Sequence, residues 1–500
     1  MQHSKFSLSL LTLALLSAGA AQAADFGVHT EHLLKAHSNQ LFGIDKPLGE
    51  SAPETTAPTR ALNQKASAQL LVAKGLKVDF LTRNAANNTD MMVFWPSADN
   101  PTHLFTAVEV FAPATTADGK PQPFVQRLNL KTGQVDVVLR GGLGGDPIRV
   151  TPWGTLIVGE ETTDGAAYEI LDPVNVTEAV ITDRATGTNT HPNNVAKRPA
   201  LGIKSWEGIG LLSNGVTYSG DELRPGDAGS DRDGGTIYKF VPLYPYAGNG
   251  PITDLAQSPF ADGSLYALQV SSRETTASSF PRYGQGSETG VAAWVKVDPA
   301  VARSDADAKG ATGYYRPEDL ELDPYFAEEG KARFCWANTQ REVAGSYGEV
   351  MCALDETPDQ YGEKVKGSLT YLADASNSQY NTAWVYRFIE GGFDFNSFDN
   401  LAFQPGTGNL FVVEDHPNGD VWSCLPDGMD EDLRSDGCVK VMSVVDSDAE
   451  PSGLFFSKDG RTAYLSVMHS NDTNMPQLVN GWPTDDIVKI TGFKVENGHK

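Results

Sequence analysis

Carboxylates recur in this chain where short apolar runs end. Leu104 to Val108 ends in Glu109, and Thr155 to Val158 leads through Gly159 into Glu160 and Glu161. Val216 to Tyr218 leads through Ser219 and Gly220 into Asp221 and Glu222, and Leu410 to Val413 ends in Glu414 and Asp415. Trp206-Glu207 and Arg316-Pro317-Glu318 add two further acids in similar settings. Any one of them alone reads as a solvated acid at a strand end. Repeated at equivalent places of repeated β units, they converge into a cluster of hard oxygen ligands, which is how a β-propeller builds a calcium or mixed-metal site. Glu109, Glu160, Glu161, Glu207, Asp221, Glu222, Glu318, Glu414 and Asp415 are the expected metal ligands.

Arg316 sits two residues before one of these acids, in Tyr314-Tyr315-Arg316-Pro317-Glu318. Its guanidinium fork suits a phosphoryl oxygen, and equally suits an ion pair with a neighbouring acid. His416 in Glu-Asp-His-Pro and His469 in Val-Met-His-Ser are candidates for metal ligation or proton transfer, against the ordinary structural role of a lone histidine. Asp231-Arg-Asp-Gly-Gly235 lacks the downstream glutamate of an EF-hand and reads as a hairpin turn. No GxSxG elbow, P-loop or HExxH occurs, which weighs against an α/β hydrolase, a nucleotide-driven enzyme and a zincin.

The elements that must position these acids are hairpins. Phe124–Leu130, the turn 131–134 and Val135–Leu139 form the clearest pair. Further pairs join Thr155–Gly159 to Ala167–Leu171, Val216–Ser219 to Thr236–Val241, and Ser264–Val270 to Ala292–Val297. Arg333–Ala337 with Glu349–Leu354, Leu410–Val413 with Asp420–Cys424, and Ala463–Val467 with Asp486–Ile490 complete the series. Their spacing predicts an all-β chain, a β-propeller of six or seven blades with long inserted loops; a barrel or sandwich is the alternative. Residues 1–23 read as a Sec-type signal peptide, 24–70 as an N-terminal arm and 71–500 as the propeller.

A leader of that kind implies a periplasmic or extracellular protein, and four cysteines suit an oxidising compartment. Four cysteines allow three pairings. Two local bridges, Cys335 with Cys352 and Cys424 with Cys438, are the simplest, with a zinc site as the rival. A net charge of −25 argues against nucleic acid or an anionic membrane as partner and is compatible with bound cations. The expected molecule is a monomer acting on a small ligand.

Several segments together resemble the PhoX-type secreted alkaline phosphatases, a six-bladed propeller family. The most specific is Thr151-Pro-Trp-Gly-Thr155 followed by Glu160-Glu161. Asp90-Met-Met-Val-Phe-Trp-Pro96, Gly220-Asp-Glu222 with Tyr238–Val241, and Arg316-Pro-Glu318 add to it. So do Asp399-Asn-Leu-Ala-Phe403 with Gly408–Leu410, and Glu450-Pro-Ser-Gly453 with Val467-Met-His469. The likeness runs from about Asn88 to His469. It implies a channel site holding calcium and iron that hydrolyses phosphate monoesters at alkaline pH. Glu160, Glu161 and Glu207 would bind metal, Arg316 would hold the phosphate, Glu318 would bind calcium, and Glu109 would match an early family glutamate. Three departures stand against the family pattern. Gly159 replaces an iron-ligating cysteine, Trp206 replaces the histidine of a His-Glu pair, and the leader is Sec-type rather than twin-arginine. They point to a centre without thiolate-bound iron. A calcium-dependent phosphodiesterase, phosphotriesterase or lactonase is the second expectation, and a non-catalytic calcium-stabilised binding propeller the third.

Overall fold

The computed structural model describes residues 26–53, 60–225, 234–248, 250–270, 288–326, 331–339, 347–355, 382–426, 437–470, 475 and 478–495. The signal-peptide segment and Asp231–Asp233 of the proposed hairpin turn lie outside them. Six antiparallel meanders make up the molecule. Their innermost strands are Thr89–Trp95, Gly145–Val150, Trp206–Leu211, Pro317–Leu322, Phe398–Phe403 and Glu450–Phe456. Each packs beside the next and the sixth packs beside the first, so the six surround one channel. Below they are called blades one to six. The third and fourth blades are joined at their outer edges through Gly290–Val297 into one nine-stranded sheet.

Closely packed blades leave little solvent on either sheet face, so the middle strands need not alternate. Thr155–Glu160 and Leu410–Glu414 are buried at every position, as continuous apolar runs between two covered faces require. Six hydrophobic clusters form the core, one at each boundary between consecutive blades. Tyr218 of blade three stacks on Phe334 of blade four at 4.2 Å, and Phe94 of blade one meets Phe455 of blade six edge-on at 4.8 Å. Each large side chain so buried contributes about 1.5–3 kcal/mol relative to exposure. Disulfides join Cys335 to Cys352 and Cys424 to Cys438 across directly opposed strand positions. Both lie in the cluster between blades four and five.

The residues before the first blade are woven into the last two. Leu34, Phe42 and Ile44 are buried against blades five and six. Leu70–Val72 adds an outer strand to blade five, and Lys77–Ala86 pairs with Thr484–Thr491 to complete blade six. Arg60, fully buried, donates to Asp486 at 2.9 Å; Gln69 donates to the same carboxylate at 2.7 Å. Among the described residues no helix is long and apolar enough to cross a membrane.

Candidate metal centre

One register repeats around the channel. At the mouth, the first paired residue of each inner strand lies opposite the end of the second strand: Thr89 opposite Val108, Gly145 opposite Glu160, Trp206 opposite Asp221, Pro317 opposite Asn338, Phe398 opposite Glu414 and Glu450 opposite Met468. A register shift follows shortly after in all six pairs, the mark of a β-bulge, which re-aims side chains. In blade three the bulge holds Gly208 at φ +48°, and a β-carbon there would lie 2.0 Å from the Leu320 amide nitrogen of blade four. Two tiers of side chains result. The residue next along the inner strand is Asp90, Asp146, Glu207, Glu318, Asp399 or Pro451; the residue just past the second strand is Glu109, Glu161, Glu222, Thr339, Asp415 or His469.

The deeper tier is acidic in five blades. Glu207, Glu318 and Asp399 bring one carboxylate oxygen each to within 4.8 Å of one another, a spacing a single cation can bridge. Asp146 shares a hydrogen bond with Glu207, and Ser452 donates to Asp90. Burial, reinforced by neighbouring acids, pushes Asp90 up to about 7 and Glu318 up to about 8, and raises Asp146, Glu207 and Asp399 well above the carboxylate range. Below this tier Arg149 of blade two spans the channel to Asp319 at 3.3 Å and to Glu321, both of blade four. Asp319 also accepts from the Leu401 amide of blade five at 3.1 Å. The acids therefore stand over a floor.

The upper tier carries the cations. Arg316, held at φ +49°, reaches Glu222 of blade three at 2.5 Å, Glu318 at 2.9 Å and Asp415 of blade five at 3.0 Å. Thr339 donates to Glu318 at 2.5 Å. On the far side Glu109 and Glu161 share a hydrogen bond, and burial pushes Glu109 up to about 8. His469 meets Glu450 at 3.2 Å, and Glu450 in turn shares a hydrogen bond with Asp415.

Of the expected ligands, Glu109, Glu161, Glu207, Glu222, Glu318 and Asp415 thus gather around the channel with Arg316 and His469. Glu160, Asp221 and Glu414 point the other way. Glu160 accepts from Arg184 at 2.7 Å and from the Leu143 amide at 3.1 Å. Asp221 is forked by Arg303 at 2.5 and 2.8 Å, and Glu414 accepts from the Asn396 and Asp420 amides at 3.0 and 2.9 Å. His416 closes on Glu414 at 3.3 Å; burial pulls it down, but that contact prevails and carries it to about 9. Asp90, Asp146, Asp399 and Glu450 escaped the reading of single strand ends. The apolar runs that end in acids are second strands, whereas these four acids open the inner ones. Lys204 escaped it too: fully buried, its Nζ lies 3.4 Å over the Trp206 ring and donates to the Gly220 carbonyl at 2.6 Å, with burial pulling it down to about 7.

Fold and site together define a β-propeller with an acidic, oxygen-rich centre in its channel. Residues 148–471 match the family model for alkaline phosphatase PhoX, so the chain belongs to that family and is a phosphoric ester hydrolase. The structure is similar to that of Pseudomonas fluorescens PhoX in complex with vanadate, a transition state analogue, with a TM-score of 0.54 and 16% identity over 91% of this chain and 100% of that one. More distant likenesses are an auxiliary nutrient binding protein from Bacteroides thetaiotaomicron (TM-score 0.41, 8% identity, 84% of this chain and 77% of that one) and a PQQ-bound aldose sugar dehydrogenase from Streptomyces coelicolor (TM-score 0.38, 12% identity, 83% and 98%). No curated protein sequence matches the chain.

Proposed function

We propose that this chain hydrolyses phosphate monoesters at a calcium site formed by Glu207, Glu318 and Asp399, with Arg316 holding the phosphoryl group. The observation that carries the reading is the convergence of three carboxylates from three blades, one of them 2.9 Å from the Arg316 guanidinium. A hard cation and a phosphate anion thereby have adjoining seats. The donor set supports calcium, which takes six to eight oxygens. Glu109, Glu161, Glu222 and Asp415 supply the outer oxygens of the proposed site. Glu109, Glu161 and Glu318 ionise reluctantly without a cation, since burial raises them. The donors do not fit thiolate-bound iron: all four cysteines are in disulfides, and residue 159 is a glycine.

Calcium, when bound, neutralises charge on the phosphoryl oxygens. The chain's own part is positional. Arg316 is fixed by Glu222 on one side and Asp415 on the other, so its fork needs no reorganisation to stabilise the transferring group. Thr339 holds Glu318 in place beside it. The floor made by Arg149 keeps substrate at the mouth, where those groups are. The enzyme is proposed to be exported through a Sec-type leader and to act as a monomer on small esters.

The lack of any free thiol favours one second reading, a calcium-dependent diesterase, triesterase or lactonase, because such a site needs no iron. Elemental analysis of protein from its native host, with monoester hydrolysis measured with and without chelator, tests both. Calcium with chelator-sensitive monoesterase activity is expected. Calcium with hydrolysis only of diesters, triesters or lactones would replace the first reading by the second.

A further inference from the structure

The upper tier has a second cation, and it is built differently from Arg316. Five blades place Glu109, Glu161, Glu222, Thr339 and Asp415 just past their second strands; blade six places His469 there. The backbone of His469 is in the left-handed region, φ +57°, and its amide donates to Asp485 at 3.3 Å, so the turn fixes the backbone from which the ring projects. Nε2 lies 3.2 Å from Glu450, whereas Nδ1 makes no hydrogen bond among the described residues, and the side chain is 39% exposed at the mouth. An imidazole oriented through one nitrogen by a carboxylate, with the other nitrogen not engaged by the described residues and the side chain partly exposed, is the geometry of a proton-transfer group.

The link to Arg316 is continuous. Arg316 touches Asp415, Asp415 shares a hydrogen bond with Glu450, and Glu450 touches His469. His469 is thus joined to the phosphoryl seat proposed at Arg316 through two carboxylates of the channel mouth. The charged groups that act most strongly on His469 are Glu450, Glu109 and Asp485, and all three are acids.

We infer that His469 is a catalytic residue, the general acid that protonates the departing oxygen of the ester. The inference rests on the monoesterase reading above. As the P–O bond to the alcohol breaks, its electron pair stays on that oxygen, which takes the Nδ1 proton. A new O–P bond to the oxygen of a water completes the phosphate, the proton that this water loses passes to solvent, and the neutral imidazole regains a proton from solvent. The hydrogen bond that Nε2–H donates to Glu450, outweighing burial, carries His469 up to about 9, so the imidazolium persists into mildly alkaline solution.

The test is His469→Gln, assayed on 4-nitrophenyl phosphate and on glycerol phosphate. Loss of a general acid falls on the poor leaving group: glycerol phosphate hydrolysis is expected to drop on the order of 10²-fold and 4-nitrophenyl phosphate hydrolysis less than about fivefold. In Glu450→Gln the alkaline limb of the pH profile is expected to move to lower pH. Equal losses on both esters with an unmoved alkaline limb would overturn the inference. A wild-type protein that hydrolyses neither ester would instead overturn the monoesterase reading on which it stands.

Discussion

Gly159 of blade two and the Trp206 side chain of blade three are in such close contact that a β-carbon on residue 159 would lie 2.6 Å from Trp206 Cβ. It would also lie 2.8 Å from Pro147 Cγ. The contact is with the first carbon of the indole side chain, so shortening Trp206 does not relieve it. At residue 159 the blades have therefore closed over the place where a thiol would stand. Trp206 fills the space, 1% exposed, and carries Lys204 on its face.

Gly159→Cys is accordingly expected to destabilise the fold by about 1–3 kcal/mol, as overpacked cores do, and to acquire no iron. Thermal melts and elemental analysis check this. A variant as stable as wild type that loads iron would show the boundary to be looser than the structure has it.

Arg316→Ala is expected to lower monoester turnover on the order of 10²–10³-fold, the scale of losing one preorganised donor. Calcium affinity should rise, because Glu222, Glu318 and Asp415 lose a cation they now share. Calorimetric titration with calcium would decide it; weaker calcium binding would make Arg316 an organiser of the metal site instead.

Stability and pH are linked with a definite sign. Free Asp and Glu titrate near 4, whereas Asp90 stands at about 7 and Glu109 and Glu318 at about 8 in the fold, chiefly through burial. Between those limits the folded state holds more protons than the unfolded one, so calcium-free protein should lose stability as pH rises from about 4 to 8. Calcium should cancel the loss, since it replaces the protons. Melting temperatures across that range, with chelator and with calcium, test the prediction; a calcium-free protein that gains stability toward pH 8 would refute it.

Acids of the two orientations should behave differently. Asp399→Asn and Glu207→Gln are expected to weaken calcium binding at least about tenfold, some 1.4 kcal/mol. Glu160→Gln and Glu414→Gln are expected to lower the melting temperature and leave calcium affinity near that of wild type, because their oxygens accept backbone amides. Loss of calcium in the second pair would mean that these two carboxylates also serve the channel site.

The seven hairpins legible in the sequence are all present, because middle and outer strands are apolar runs bounded by turns. The inner strands were not legible, for a physical reason. Gly145-Asp-Pro-Ile148 and Glu450-Pro-Ser-Gly453 put glycine, proline and an acid where a bulge bends the strand, and such residues normally argue against a strand. In the same way, Glu160-Glu161 and Glu414-Asp415 announce acids at a strand end, but successive side chains point to opposite sides. Only the bulged register against the inner strand decides that the second of each pair meets the channel. Arg316 was legible as a fork suited equally to a phosphoryl oxygen or to an acid, but its neighbours Glu222 and Asp415 come from other blades and only the closed ring brings them near.

That ring is shut by strands from opposite ends of the chain, Lys77–Ala86 and Thr484–Thr491. Contacts of such long sequence separation form late and slowly. A nascent chain lacking its last strand has blades but no closed ring, and the acids of six blades have no common centre to share. The proposed cation seat thus depends on ring closure by the last strand, and a chain truncated before Thr484–Thr491 is expected to bind calcium poorly.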